Sequence, residues 1–335
     1  MTAQDTTGTS GAVRGAFASC GRFVLTTHVN PDGDAIGSEI ALAAWLRGGG
    51  KEVHVINVSP LPPFYRFLDP AGSIAVYDPR RHDALIAGAD AIVVLDANHP
   101  GRLRDMARAV MASPALRICI DHHTDPDPFA AHALIDTGAT STGEILFTLL
   151  YGDAPGRIDP VIAGALYCAI MTDTGSFRYP RTGPLTHRIA ARLIESGADP
   201  VAIFSAVYEQ WTPARMRLLG EAIAAMETAF GGRLAHITVT RAMFARTHTT
   251  VEDTENFTVY PMSVAGVAIG ILFLETDEGL KMSFRSRGSI PVNTLAAEFG
   301  GNGHLNAAGA RVSGPTDDVR ARVLQAAEKY IGDRA

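Results

Sequence analysis

The chain has 335 residues, 47% hydrophobic and 19% charged, which provides ample material for a buried core and excludes an intrinsically disordered chain. At about 150 residues per domain this length implies two domains. Lys and Arg total 29 against 35 Asp and Glu, a net charge of −6, which excludes non-specific coating of long nucleic acid because that needs a basic face. Short anionic substrates remain compatible with a local cluster of positive charge or metal.

Residues 1–11, rich in Thr and Gly, lack a basic region followed by an apolar stretch and read as a mobile tail with no signal peptide. Short β-rich runs then alternate with helical patterns. Strands are expected at Arg22–Thr26, Glu52–Asn57, Ile74–Tyr77, Ala91–Leu95 and Arg117–Ile120, and helices near Ile36–Arg47, Arg102–Met111 and Thr142–Leu150. Such alternation with apolar strands implies an α/β fold with a doubly wound, mainly parallel sheet covered on both faces. Alanine-rich helical sequence dominates from Pro160 to Met226, broken at Thr172–Pro180. A second β-rich phase follows at Leu234–Val239, Ala268–Leu274 and Leu280–Phe284, with helices near Asn293–Phe299 and Asp317–Ile331. This reads as a smaller C-terminal α/β unit. The expected division is a tail at 1–11, a first domain at 12–198, a linker at 199–214 and a second domain at 215–335.

Cys20, Cys119 and Cys168 form no C-x-x-C pair, which excludes a disulfide scaffold and a zinc ribbon and fits a reducing compartment. The longest apolar run, Val264 to Leu274, is far short of the roughly 20 residues that span a bilayer. The expectation is a soluble, cytoplasmic protein with no membrane partner.

Four segments carry candidate chemistry. His28-Val29-Asn30-Pro31-Asp32-Gly33-Asp34 lies between a strand and a helix, where Asn-Pro-Asp-Gly is also favourable turn chemistry and Asp34 is placed to cap the helix. Asp96 ends an apolar strand, and Asp121-His122-His123 end another. Asp173-Thr174-Gly175 follows a helical apolar run. Each alone reads equally well as a turn or cap. Together they point to one place, because ligands of an open parallel sheet bind outside the carboxyl ends of its strands. Asp32, Asp34, Asp96 and Asp173 gathered there would repel by about 4 kcal/mol per close pair even at an effective dielectric of ~20. Two divalent cations offset that repulsion. Carboxylate and imidazole donors without thiolates point to manganese or magnesium more than to structural zinc. Two such ions about 4 Å apart would activate hydroxide and clamp a phosphoryl oxygen, which is hydrolytic chemistry.

In the C-terminal half, Arg285 and Arg287 alternate along an expected strand and so share a face suited to phosphate, although ordinary solvated charges look the same. The glycine-rich Gly300-Gly301-Asn302-Gly303-His304 can bring backbone amides close to a phosphate, with His304 as a further donor, or can simply join two helices. Glu252-Asp253-Thr254-Glu255 reads as a solvated acidic loop.

In order and spacing, His28-x-x-x-Asp32-x-Asp34, Asp96, Asp121-His122-His123 and Asp173-Thr174-Gly175 resemble the four motifs of the DHH phosphoesterase superfamily. Phe299–His304 with Ala307-Ala308-Gly309 resembles the motif of its associated substrate domain. Length and layout are similar to the nanoRNase and pAp phosphatase subfamily. The resemblance implies that His28, Asp32 and Asp96 hold one metal and Asp34, Asp96, His122 and Asp173 the other, with Asp96 bridging and manganese the preferred ion. It also implies that His123 faces the substrate phosphate, that Asp121 orients an imidazole, and that Arg285, Arg287, Gly301, Asn302, Gly303 and His304 hold the nucleotide, with the active site in a cleft between the domains. The implied substrates are short oligoribonucleotides, cleaved to mononucleotides, and 3′-phosphoadenosine 5′-phosphate (pAp), dephosphorylated to AMP. Linear dinucleotides derived from cyclic ones are a related alternative, and a homodimer is left open. A manganese-dependent pyrophosphatase would share the N-terminal motifs, but the Ser-Arg-Lys-Lys-Gln type motif of its second domain is absent. A non-catalytic nucleotide sensor would be expected to have lost a ligand. Asn302 stands where the family's motif has glycine, and since Asn tolerates positive φ the loop conformation is expected to survive.

Overall fold

The computed structural model describes residues 6–152 and 158–331. The chain divides into two compact units between Gln210 and Trp211.

The first unit opens with α1 (Thr6–Ser19), so residues 6–11 belong to a helix where a tail was expected, and residues 1–5 lie outside the described residues. Val13, Ala16 and Phe17 are spaced to form one apolar stripe, and all three are buried. Next come β1 (Arg22–Thr26), α2 (Gly33–Gly48), β2 (Glu52–Asn57), β3 (Ile74–Val76), α3 (Pro79–Gly88) and β4 (Ala91–Leu95). The helix expected at Arg102–Met111 is broken: Pro100–Leu103 is a 3₁₀ turn, Arg104 takes a left-handed φ of 48°, and α4 spans only Met106–Ala112. Then follow β5 (Leu116–Asp121), β6 (His132–Ile135), α5 (Thr142–Leu150), α6 (Pro160–Asp173), α7 (Pro184–Glu195) and α8 (Pro200–Tyr208). The stretch 199–214, expected as a linker, therefore carries a helix. Asp199 caps it through Val201 N and Ala202 N, with Pro200 at its first position.

Strand order in the first sheet is β3-β2-β1-β4-β5-β6, with every pair parallel. The order reverses between β1 and β4, which opens a crevice at their carboxyl ends. Strand alternation sends Phe23, Leu25, Val93 and Leu95 to the core beneath α2 and α6, and Val24, Ile92 and Val94 to the opposite core with Ile86 and Met106. Helices α2 and α6 press together because Gly37 has no side chain, since a Cβ there would lie 2.4 Å from the Ala165 carbonyl oxygen. That approach brings the start of α2 beside the end of α6.

The second unit contains α9 (Pro213–Ala224), β7 (Glu227–Ala229), β8 (Leu234–Val239), α10 (Arg241–Thr247), α11 (Val259–Ser263), β9 (Ile269–Thr276) and β10 (Gly279–Ser286). It ends with α12 (Val292–Ala297), β11 (Asn302–His304), β12 (Ala307–Val312) and α13 (Thr316–Ile331). Its sheet runs β11-β12-β10-β9-β8-β7 and is mixed, with β8 and β9 parallel and the other pairs antiparallel. Ile271, Phe273, Met282 and Phe284 pack toward α12 and α13, while Ile237, Val239, Leu272 and Leu274 face α9. Among the described residues, no helix is long and apolar enough to cross a membrane.

Candidate metal centre

The crevice at the carboxyl ends of β1, β4 and β5 collects the polar groups of the first unit. His28 follows β1 and is buried. Asp32, rather than Asp34, caps α2, accepting from Asp34 N and Ala35 N at 3.1 Å each. Asp34 lies in the first turn of α2 and is 1% exposed. Asp96 follows β4 with a left-handed φ of 56°, a conformation that costs energy for a non-glycine residue and clusters at functional sites. Asp173 ends α6, where the helix dipole opposes a negative charge.

These groups converge. Ligand-capable atoms of His28, Asp32 and Asp96 lie within 4.8 Å of one another, as do those of Asp34, His122 and Asp173, and those of Asp96, Asp121, His122 and His123. His122 Nε2 is 3.4 Å from Asp173 Oδ2, 3.5 Å from Asp96 Oδ1 and 3.8 Å from Asp34 Oδ2. His28 Nε2 is 3.3 Å from Asp96 Oδ2. Asp121 is fully buried, and its Oδ1 accepts from His122 N and His123 N and pairs with His123 Nδ1 at 2.8 Å. It thereby fixes the His123 ring.

Burial and mutual repulsion of carboxylates dominate the electrostatics of the cluster. Burial, compounded by Asp96, Asp173 and Asp32, pushes the Asp34 carboxyl well above the usual range. Burial likewise lifts Asp173 to about 6 against the pull of His122. Burial works against the Asp96 carboxylate too, but the neighbouring imidazoles of His122, His28 and His123 outweigh it and hold that group far below the ordinary value. One carboxylate is thus ionised while its neighbours resist ionisation, the pattern of like charges sharing a site.

The donor set fits divalent cations. His28 Nδ1 lies 2.9 Å from the Val29 carbonyl oxygen, and its Nε2, 3.3 Å from Asp96 Oδ2, is buried with no hydrogen-bond partner among the described residues, so the neutral ring offers that nitrogen to a cation. Carboxylate and imidazole donors, with no cysteine among them, are the ligands of such ions. The acidic and histidine cluster can bind metal.

The centre also contains groups that sequence reasoning missed. Thr142 donates its hydroxyl to Asp96 Oδ1 at 3.1 Å, and the amides of Thr142 and Gly143 donate to Asp34 at 2.7 and 2.9 Å. The only sequence signal was the run Thr140-Ser141-Thr142 before α5, which marks a helix start and says nothing of what that start faces. Arg102, half-buried, donates to the Asp96 carbonyl at 3.4 Å, and its own carbonyl receives Val29 N.

In the second unit, Arg285 lies on β10, which ends at Ser286, and Arg287 follows with its amide donating to the Ala268 carbonyl at 3.0 Å. Both arginines are exposed. Arg285 donates to the Phe284 carbonyl at 3.0 Å and Arg287 to the Met262 carbonyl. Residues 302–304, expected as loop, form strand β11 paired with β12. Asn302 is absent from the residues with positive φ, so its place makes no demand that only glycine meets. The demanding positions are its neighbours: a Cβ at Gly301 would lie 2.1 Å from the Gly309 carbonyl oxygen, and one at Gly303, where φ is 149°, 2.4 Å from Ala308 Cα. The backbone of His304 pairs with Ala307, and its side chain lies outside the described atoms. The acidic segment Val251–Thr254 is a 3₁₀ turn with Glu252 exposed.

Residues 22–170 match the DHH family, N-terminal domain, and residues 242–333 match the DHHA1 domain. A Thermus thermophilus protein described as a bifunctional oligoribonuclease and PAP phosphatase NrnA is 32% identical, over 93% of this chain and 90% of the relative. A Bacillus subtilis protein of the same description is 27% identical over 87% and 89%. The crystal structure of an exopolyphosphatase-related protein from Bacteroides fragilis superimposes with a TM-score of 0.93 at 32% identity, covering 99% of this chain and 98% of that one. The chain belongs to the DHH family and is a hydrolytic phosphoesterase.

Proposed function

We propose that this chain hydrolyses phosphoester bonds in short oligoribonucleotides, to mononucleotides, and in pAp, to AMP, with two divalent ions, manganese in preference to magnesium. One observation carries the reading: the ligand atoms of His28, Asp32 and Asp96 lie within 4.8 Å of one another, and so do those of Asp34, His122 and Asp173. In this reading Asp96 would be a ligand common to both sites. The bound ions supply Lewis acidity at phosphoryl oxygens and hydroxide at neutral pH.

The chain's own groups do the rest. His123, its ring fixed by Asp121, faces the substrate phosphate and can exchange a proton or a hydrogen bond with it. Arg285, Arg287, Gly301, Asn302, Gly303 and His304 hold the nucleotide. The relatives named as oligoribonuclease and PAP phosphatase support this substrate class. The test is to incubate purified protein and manganese with RNAs of two to seven nucleotides, pAp and pyrophosphate, and to identify the products. Mononucleotides and AMP are expected. Turnover of pyrophosphate alone would refute the substrate class.

A further inference from the structure

We propose that Thr142 is a positioning residue of the metal centre, its hydroxyl aiming the Asp96 carboxylate from the first turn of α5. The inference rests on reading Asp34 and Asp96 as metal ligands. Thr142 is fully buried, and its Oγ1 donates to Asp96 Oδ1 at 3.1 Å. The other groups around Asp96 are imidazoles: His122 and His123 nitrogens each 3.5 Å from Oδ1, and His28 Nε2 3.3 Å from Oδ2. His123 Nδ1 is already engaged by Asp121 at 2.8 Å, and His28 or His122, on giving its Nε2 lone pair to a cation, cannot use the same nitrogen to hold a carboxylate. A hydroxyl is not drawn into that exchange, so Thr142 restrains Asp96 whatever the metal content. Asp96 holds a left-handed backbone conformation, φ 56°, which persists only where its surroundings fix it.

The same turn serves Asp34. A helix start leaves its first amides without intrahelical partners. Here Glu144 N is satisfied by the capping hydroxyl of Ser141 at 3.0 Å, while Thr142 N and Gly143 N go to the two oxygens of Asp34. Asp34 Oδ1 also accepts from the Ser38 hydroxyl at 3.4 Å, while Oδ2 retains a second lone-pair direction. The start of α5 is held tightly in place, for a Cβ at Gly143 would lie 2.7 Å from Ala169 Cβ. One turn thus fixes two carboxylates from two different strand-to-helix connections, and the Thr142 hydroxyl is a contact that mutation can remove without moving the backbone.

The experiment uses the full chain stripped of metal. Thr142→Val keeps the shape and loses the hydroxyl, Thr142→Ala loses it without bulk, and Thr142→Ser keeps it. Manganese binding is titrated calorimetrically, and diribonucleotide turnover is measured at saturating manganese. Loss of a group that orients a metal ligand is expected to weaken manganese binding by about 10- to 100-fold in the Val and Ala variants. The turnover number should fall while the Michaelis constant stays within about threefold, and Thr142→Ser should restore both. The proposal is overturned if Val and Ala bind manganese as the wild type does, or if Ser falls as far as they do, which would make Thr142 a packing residue. Absence of manganese binding by the wild type would overturn the ligand reading itself, and the positioning role with it.

Discussion

Beneath the metal centre, on α2, Glu39 is completely buried. Its Oε2 receives Asn57 Nδ2 at 2.8 Å, and its Oε1 has no hydrogen-bond partner among the described residues. Burial pushes its carboxyl from the ordinary 4.5 up to about 8, against the opposing pull of Asn57. The folded chain therefore holds a proton there that the unfolded chain releases above pH 4.5. Stability must then fall as pH rises across that window, by about 1.4 kcal/mol per pH unit, and level off above about pH 8. The full span amounts to about 5 kcal/mol. Glu39→Gln removes the titration while keeping a carbonyl oxygen for Asn57. Urea unfolding of both proteins at pH 5, 6, 7 and 8 isolates the effect, because every other titrating group cancels in the difference. The variant should gain on the wild type by roughly 4 kcal/mol between pH 5 and pH 8. A constant offset between the two curves would show that Glu39 is already ionised in the fold and would refute the reasoning.

Asp96→Ala is expected to abolish hydrolysis of every substrate while circular dichroism stays native-like, as the proposed role of Asp96 as a ligand to both ions requires; undiminished turnover would remove Asp96 from the centre. Manganese affinity should rise with pH through the range in which Asp173, lifted to about 6, loses its proton. Calorimetry in two buffers of different ionisation heat should detect the released protons, and a pH-independent affinity with no proton release would contradict the ligand set. Activity should vanish with chelator and return better with manganese than with magnesium. Alanine at Arg285, Arg287 or His304 should lower efficiency on dinucleotides or pAp by about one to two decades, the loss of a charge-assisted phosphate contact, yet spare a small chromogenic phosphodiester. Equal losses on both substrates would instead assign these residues to the fold.

Local pattern was enough for much of the architecture. The strands Arg22–Thr26, Glu52–Asn57, Ala91–Leu95 and Leu234–Val239 and the helix Thr142–Leu150 lie where apolar runs and turn residues place them. Alternation of strand and helix dictates a parallel sheet, and a parallel sheet dictates that His28, Asp96 and His122 emerge at one edge. Composition misled at α1, where Thr and Gly concealed the stripe of Val13, Ala16 and Phe17, and at residues 199–214, where Asp199 and Pro200 begin a helix. Periodicity alone also ran through Pro100 and Arg104, which break the helix expected there.

What the tertiary structure alone decided are the contacts between segments distant in sequence. Asp34 meets the amides of Thr142 and Gly143 across 108 and 109 residues, and Asp96 meets the Thr142 hydroxyl across 46. No local preference encodes such a meeting. It follows from the close approach that Gly37 permits between α2 and α6, and from the strand order that sets β1 beside β4. The same holds for Asn302, whose tolerance in a glycine motif depends on β12, because the neighbouring strand crowds Gly301 and Gly303 and leaves the residue between them an ordinary strand backbone. Sequence determines which groups each strand end carries; packing determines which of them touch, because side-chain distances across a crevice are set by how whole elements stack.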